Sequence, residues 1–452
     1  MSNIASHKQQ IYGSENGNLG FQRIDSYAAA LTHNEQCHLP PIRGRQISTL
    51  PLCSMQNSEE KLFMAKPGFV CLYCGLNKPK SEESLEHAIP QFMGGEFAPQ
   101  QYMLRNVCKQ CNNRLGLFVD ASYAKSWFVT NGLSIAAHRL YTSLIDQPIP
   151  LVCIGQSKFA GLVLDEGQVA EHWVGPSGET IIWLRTDDKR LHGYSGGNPI
   201  DKKKKPSTAY LFLTSQDPIR WEIGIASFLE MFRSTKVRKI LCARVDESGE
   251  GLLSGFDAWS IDDESNISVV MAALKSGSVR GQIDVHVHFD QRFLAKLAMG
   301  VGCSLFGELY LDTDMAKEAR KTCWPKDGES GQTRGSATLI APKNPLFSKF
   351  IGYRGAVVFT VVNTGSSYTL SGTIDQAIPF VVELAPSTLS SPFINCEEGY
   401  ALVLFPSLGK TIEMTLVELV AHSSGVKKHP ELVAIDSRIE TSVEFWSQLA
   451  SL

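Results

Sequence analysis

Two cysteine pairs, Cys71 with Cys74 and Cys108 with Cys111, constrain this chain more than any other feature. Each is a CxxC, a spacing that lets two thiolates point at one ion from a tight turn. Four such sulfurs satisfy tetrahedral Zn²⁺. The pairs are 33 residues apart, against the ~12 to 20 of a plain zinc ribbon or finger. Something is therefore inserted between the halves of the clip.

The insert holds the chemistry. Glu86 and His87 are adjacent and are followed by Ile89, Pro90 and the pair Gly94, Gly95; Asn106 precedes the second CxxC and Asn112 follows it directly. A carboxylate and an amide oxygen are hard ligands suited to Mg²⁺, and an imidazole is a base near neutral pH. The stretches CLYC, LEHAIPQFMGG and NVCKQCNNRLG resemble the HNH endonucleases, in the subgroup whose ββα-metal core is braced by four cysteines. The resemblance covers about 45 of 452 residues. It implies that His87 is the general base and that Glu86 and Asn112 ligate a catalytic Mg²⁺ or Mn²⁺. It also implies that Asn106 orients the loop or the imidazole, and that Cys71, Cys74, Cys108 and Cys111 hold a purely structural zinc. The sequence departs from the commonest pattern in having Glu86 where many members have Asp, and Asn112 where many have His. Asn113 stands beside Asn112, so the ligand assignment can slip by one residue. Two other readings stay open: a core histidine hydrogen-bonded to Glu86, and a non-catalytic zinc module that binds nucleic acid or a protein partner.

Length and composition set the surroundings. A chain of 452 residues exceeds one core, and the segments expected are a polar arm at 1–65, the nuclease module with docking helices at 66–145, an α+β region at 146–330 and a β-rich region with a terminal helix at 331–452. The fold class expected is α+β. No apolar run approaches the ~20 residues that span a bilayer, the N-terminus lacks a signal-peptide pattern, and the seven remaining cysteines are scattered. These features point to a reducing, cytoplasmic setting with no membrane partner.

The net charge of −3 gives no general attraction to nucleic acid, which is bound largely through Lys and Arg. Residues 71–115 hold Lys78, Lys80, Arg105, Lys109 and Arg114 against Glu82, Glu83, Glu86 and Glu96, a local excess of one positive charge. DNA is the expected substrate, with RNA not excluded. Affinity must then come from a local patch, the metal or a partner, and a protein partner or small-molecule activator is assigned to the C-terminal region. The run Lys202 to Lys205 offers a second basic patch, or reads more simply as a solvated loop before Pro206.

Along the chain, His33, Cys37 and His38 lack a fourth ligand. Phe159 to Leu164 and Thr180 to Leu184 read as strands. Ile225, Phe228, Leu229 and Phe232 form a helical stripe, as do Leu294, Leu297, Val301 and Leu305 in a helix from Gln291. His286, His288 and Asp290 alternate as on one strand face, either as metal ligands or as ordinary sheet surface. Five strands are expected between 335 and 425: Ala356 to Val362, Tyr368 to Ile374, Pro379 to Leu384, Ala401 to Phe405 and Thr411 to Leu416. A closing helix should carry Ile439, Val443 and Trp446, with Asp436 as its cap.

Overall fold

The computed structural model describes residues 68–187, 195, 204–233, 236–242, 254–276, 279, 281–283, 287–325, 331, 333–338, 345–395 and 397–451. The arm at 1–65, with His33, Cys37, His38 and Cys53, lies outside the described residues, as do Lys202, His286 and Cys396.

The chain builds an α+β structure whose N-terminal part is a ββα unit. Cys71 and Cys74 sit in the turn between the short strands Gly68–Val70 and Asn77–Pro79. A second hairpin pairs Glu83–His87 with Met103–Cys108 in antiparallel register, His87 facing Met103, with an irregularity between Ser84 and Glu86. The helix Lys109–Leu115 follows immediately. The loop between the hairpin strands closes on two glycines. Gly94 has φ +90°, a left-handed conformation that costs glycine little. A Cβ on Gly95 would lie 1.7 Å from the Ile89 carbonyl oxygen. After Leu115 the helix widens into a π turn at Gly116–Asp120, continues as Ala121–Ala124 and is followed by the helix Trp127–His138.

Two six-stranded sheets make up most of the remainder. The first runs in the order Gly281–Gln282, Val152–Ser157, Gln168–Val174, Thr180–Thr186, Ser207–Phe212, Val237–Leu241. Its last pair is parallel, which requires a crossover, and the helix Pro218–Met231 supplies it. The expected stripe delivers Phe228 and Phe232 to that sheet, the latter 5.1 Å from the Trp183 ring. The second sheet is antiparallel throughout, in the order Gly335–Ala337, Ile378–Pro386, Ser367–Ile374, Val357–Asn363, Tyr400–Phe405, Lys410–Met414. Alternation sorts its residues between two cores. Val357, Phe359 and Val361 face one, while Ala356 and Val358 face the other, where Leu432, Ile435 and Ile439 of the terminal helix Pro430–Ser451 cover them.

The helix Val287–Phe306 joins the ββα unit to this second sheet. Every residue from Phe293 to Phe306 is buried, in one core with Cys71, Ile89, Val107, Leu370 and Leu404. By length and composition the stretch Val287–Asp312 is apolar enough to cross a membrane, which corrects the expectation that no run approaches that length; 78% of its most apolar part is buried inside the protein. Gly300 sets the approach, since a Cβ there would lie 2.9 Å from both the Cα and the carbonyl oxygen of Ala88.

Four further expectations are corrected. Phe159 to Leu164 is a loop, because the strands Val152–Ser157 and Gln168–Val174 on either side take the sheet positions. His288 and Asp290 begin the long helix instead of alternating on a strand, so the period of two was a coincidence of helix entry. Asp436 lies inside the terminal helix, which opens at Pro430, and its carboxylate faces Tyr353 and His422. Val443 is exposed on that helix; Ser442 and Leu449 are buried instead.

Candidate active site

The four-sulfur clip is made locally. Gly75 N–H donates to the Cys71 carbonyl at 2.8 Å and Cys71 N–H to the Leu76 carbonyl at 3.0 Å, closing the first knuckle. Leu72 N–H donates to the Asn106 carbonyl at 2.8 Å, and Cys108 N–H donates to Cys71 Sγ at 3.3 Å, joining the two halves. The sulfurs of Cys71, Cys74, Cys108 and Cys111 all lie within 4.8 Å of one another. Around zinc, with Zn–S near 2.3 Å, they would be roughly 3.8 Å apart, so the cluster fits the ion after a small contraction. A hydrogen bond with Cys111 pulls the Cys71 thiol down to about 4, against burial, while the same bond pushes Cys111 up. Four sulfurs this close together suit a thiophilic cation such as zinc.

Glu86 and His87 occupy the last two positions of the strand Glu83–His87, just past the irregularity in its pairing. Glu86 is 4% exposed and His87 is half-buried. Glu86 Oε1 accepts from the Tyr73 hydroxyl at 2.9 Å and pairs with Lys296 Nζ at 2.6 Å. The same ammonium pairs with Asp120 Oδ2 at 2.8 Å. Asn112 Nδ2 donates to the Leu85 carbonyl at 2.7 Å and to Ser84 Oγ at 3.3 Å, tying the helix to the strand where its register slips. With its nitrogen spent there, its oxygen is the atom left for a cation.

Glu86, His87, Asn112 and Asp120 line one open cavity of about 420 Å³, together with Pro90 and Gln91. Asn106 is not brought to it. Its side chain donates to Cys303 Sγ at 3.4 Å on the long helix, and its carbonyl holds the knuckle. Three hard oxygen donors around a cavity suit Mg²⁺ or Mn²⁺. The buried Oδ1 of Asp120 has no hydrogen-bond partner among the described residues, which is the kind of atom such an ion satisfies.

Lys296 is 2% exposed. Burial works to strip its proton, but the charges of Asp120 and Glu86 outweigh that and hold the ammonium above the ordinary lysine range. Burial pushes the Asp120 carboxyl up, with Lys296 pulling the other way. Sequence reading missed both residues. Asp120 carried a signal, being an acid two helical turns beyond Asn112. Lys296 carried a fainter one, as the single charge in the apolar run from Phe293 to Phe306.

Basic side chains around the module are partly spent on acids. Lys80 and Arg105 both pair with Glu83, and Lys109 Nζ donates to the Ser81 carbonyl at 2.9 Å. Arg114 stacks over Trp324, its guanidinium 4.0 Å from the ring centroid.

Residues 71–128 match the family described as HNH endonuclease. No curated protein and no solved structure matches the chain. The matched segment begins at the first cysteine of the clip and runs past Asp120, so it contains the knuckles, the hairpin and the helix that line the cavity. The N-terminal part of this chain thus matches the HNH endonuclease family over residues 71–128, and the same segment clusters four cysteines that could hold zinc.

Proposed function

We propose that the protein is a metal-dependent DNA endonuclease in which His87 is the general base. The observation that carries this reading is the convergence of Glu86, His87 and Asn112 on one cavity beside the four-sulfur clip. His87 takes the proton from a water that attacks the phosphorus, and Glu86 and Asn112 hold a divalent cation, Mg²⁺ or Mn²⁺. When bound, that cation offsets charge developing on the phosphate and on the departing oxygen. Cys71, Cys74, Cys108 and Cys111 hold structural Zn²⁺, which keeps the hairpin and helix in register. Asn106 takes a supporting part, fixing its strand against the knuckle and the long helix. DNA is the proposed substrate, with RNA as the alternative polymer.

The division of the chain at 66–145, 146–330 and 331–452 is part of the same proposal, with the two later regions governing when and where the module cuts through a partner or a small-molecule activator. By analogy of architecture, a nuclease joined to a large second region, we place the protein among bacterial defence or restriction-type effectors of the cytoplasm.

A second reading, a non-catalytic zinc module that binds nucleic acid or a protein, is favoured by one observation: Glu86 Oε1 already has two partners, Tyr73 and Lys296. Plasmid nicking in Mg²⁺ or Mn²⁺ separates the two. The wild type is expected to nick, and His87→Ala to lose about 10²- to 10⁴-fold of the rate. Equal nicking by both proteins, or none by either, would reject the catalytic assignment.

A further inference from the structure

We propose that the cation site is a two-carboxylate site, Glu86 with Asp120, and that Lys296 is the positioning residue that holds this pair from the core side. The inference rests on the endonuclease reading above and deepens it by adding a ligand and naming its support.

Lys296 belongs to the helix Val287–Phe306, more than 160 residues beyond the end of the matched segment. Its ammonium lies 2.6 Å from Glu86 Oε1 and 2.8 Å from Asp120 Oδ2, so one buried cation bridges two carboxylates. Such a bridge has two meanings. The ammonium can stand where the metal would stand and exclude it, or stand behind the carboxylates and aim them. The cavity decides between these. Glu86 and Asp120 both line it, with His87 and Asn112, and Lys296 does not. The lysine is 2% exposed and approaches from the protein interior.

The charges agree with this placement. Two carboxylates and one ammonium sum to −1, and the second oxygen of Asp120 is buried without a partner among the described residues. Without the lysine, two acids close together would repel one another and turn apart or take up a proton. Tyr73 adds a neutral donor to Glu86 Oε1, so the carboxylate is fixed from two directions. The helix reaches the hairpin because Gly300, one turn after Lys296, lets its backbone lie against Ala88, the residue after His87. Cys303, a further turn on, meets Asn106 of the paired strand. The face that carries Lys296 is thus seated on both strands of the site.

The test is Mn²⁺ binding by the full-length, zinc-loaded protein, read from the electron paramagnetic resonance signal of free Mn²⁺. Wild type, Asp120→Asn, Lys296→Met and the double variant are compared, with zinc content and melting temperature confirming the fold. Each single variant is expected to bind Mn²⁺ at least tenfold more weakly. The double variant should be no weaker than the worse single, because Lys296 acts through the pair that Asp120 completes. Unchanged binding by either single variant overturns the proposal. Tighter binding by Lys296→Met overturns it in favour of a lysine that competes with the metal. If Lys296→Met does not fold, Asp120→Asn and the double variant, which removes one charge of each sign, decide the matter by the same criteria. The outcome is separable from the endonuclease reading. Weakened Mn²⁺ binding in a protein that never nicks DNA would keep the site and reject the nuclease, while nicking that depends on His87 with Mn²⁺ binding indifferent to Asp120 and Lys296 would do the reverse.

Discussion

The four-sulfur clip and the oxygen-lined cavity belong to one small module, and they are assembled over very different distances along the chain. The clip draws all its donors from 71 to 111, and its knuckles are closed by hydrogen bonds within the same stretch. The cavity draws donors from 86, 112 and 120 and is braced from 296. Soft thiolates bind zinc strongly enough to organise a short loop on their own. Carboxylates need their orientation supplied, since two of them side by side repel, and here a helix from elsewhere supplies it. A module that looks self-contained in sequence is therefore one wall of a larger core, shared with the second sheet through Val357, Leu370 and Leu404.

The comparison is broken most severely at the clip. Cys71→Ser should cost the protein its zinc and the cooperative folding of residues 71–128, because structural zinc in small modules contributes on the order of 10 kcal/mol. Zinc content and limited proteolysis of this segment measure it. Retention of the metal and of protease resistance would mean that the shared core, not the clip, holds the module together.

A smaller effect is expected at the contact between the two parts. In Gly300→Ala the new Cβ meets the Ala88 backbone, which cannot yield as a side chain would. The gain in helix propensity, up to ~1 kcal/mol, works the other way. A net loss of about 1–2 kcal/mol is expected, as a fall of a few degrees in melting temperature. DNA nicking should fall with it, although the residue lies far from the cavity in sequence. Nicking unaffected by a measurable loss of stability would show that the long helix supports the fold and not the site.

A change of opposite sign, confined to high pH, sharpens the comparison by acting on the same helix without touching the cavity. Asp290 is 5% exposed, and burial pushes its carboxyl up to about 7, against a hydrogen bond from Thr338. The folded protein thus keeps a proton that the unfolded chain releases near pH 4. This contribution to stability is present in full below pH 4 and is lost as pH rises to about 7. Asp290→Asn should remove that slope, gaining roughly 1–3 kcal/mol relative to wild type at pH 8 and little at pH 4, by melting curves at the two pH values. Its Mn²⁺ binding should match the wild type.

Local rules carried much of the fold. Five strands of the second sheet appear within one or two residues of their expected places, because turn residues and alternation act over a few positions. The same rules misplaced Phe159 to Leu164, where alternation fell on a loop, and read a strand into His288 and Asp290, where three residues cannot separate period two from helix entry. The stripes on Pro218–Met231 and Val287–Phe306 were legible as buried, but not what they would be buried against.

For the site, the amino-acid sequence alone determined which residues could bind metal and act as a base, since the CxxC pairs, the Glu86–His87 dipeptide and Asn112 are neighbours along the chain and owe their chemistry to residue type and spacing. Only the tertiary structure decided that Asn106 turns away to Cys303, that Asp120 joins Glu86 and that Lys296 pairs with both. The reason is physical: a covalent neighbour is fixed by the chain, whereas a charge brought in from a distant helix is fixed only when a shared core excludes water and seats that helix against the strand.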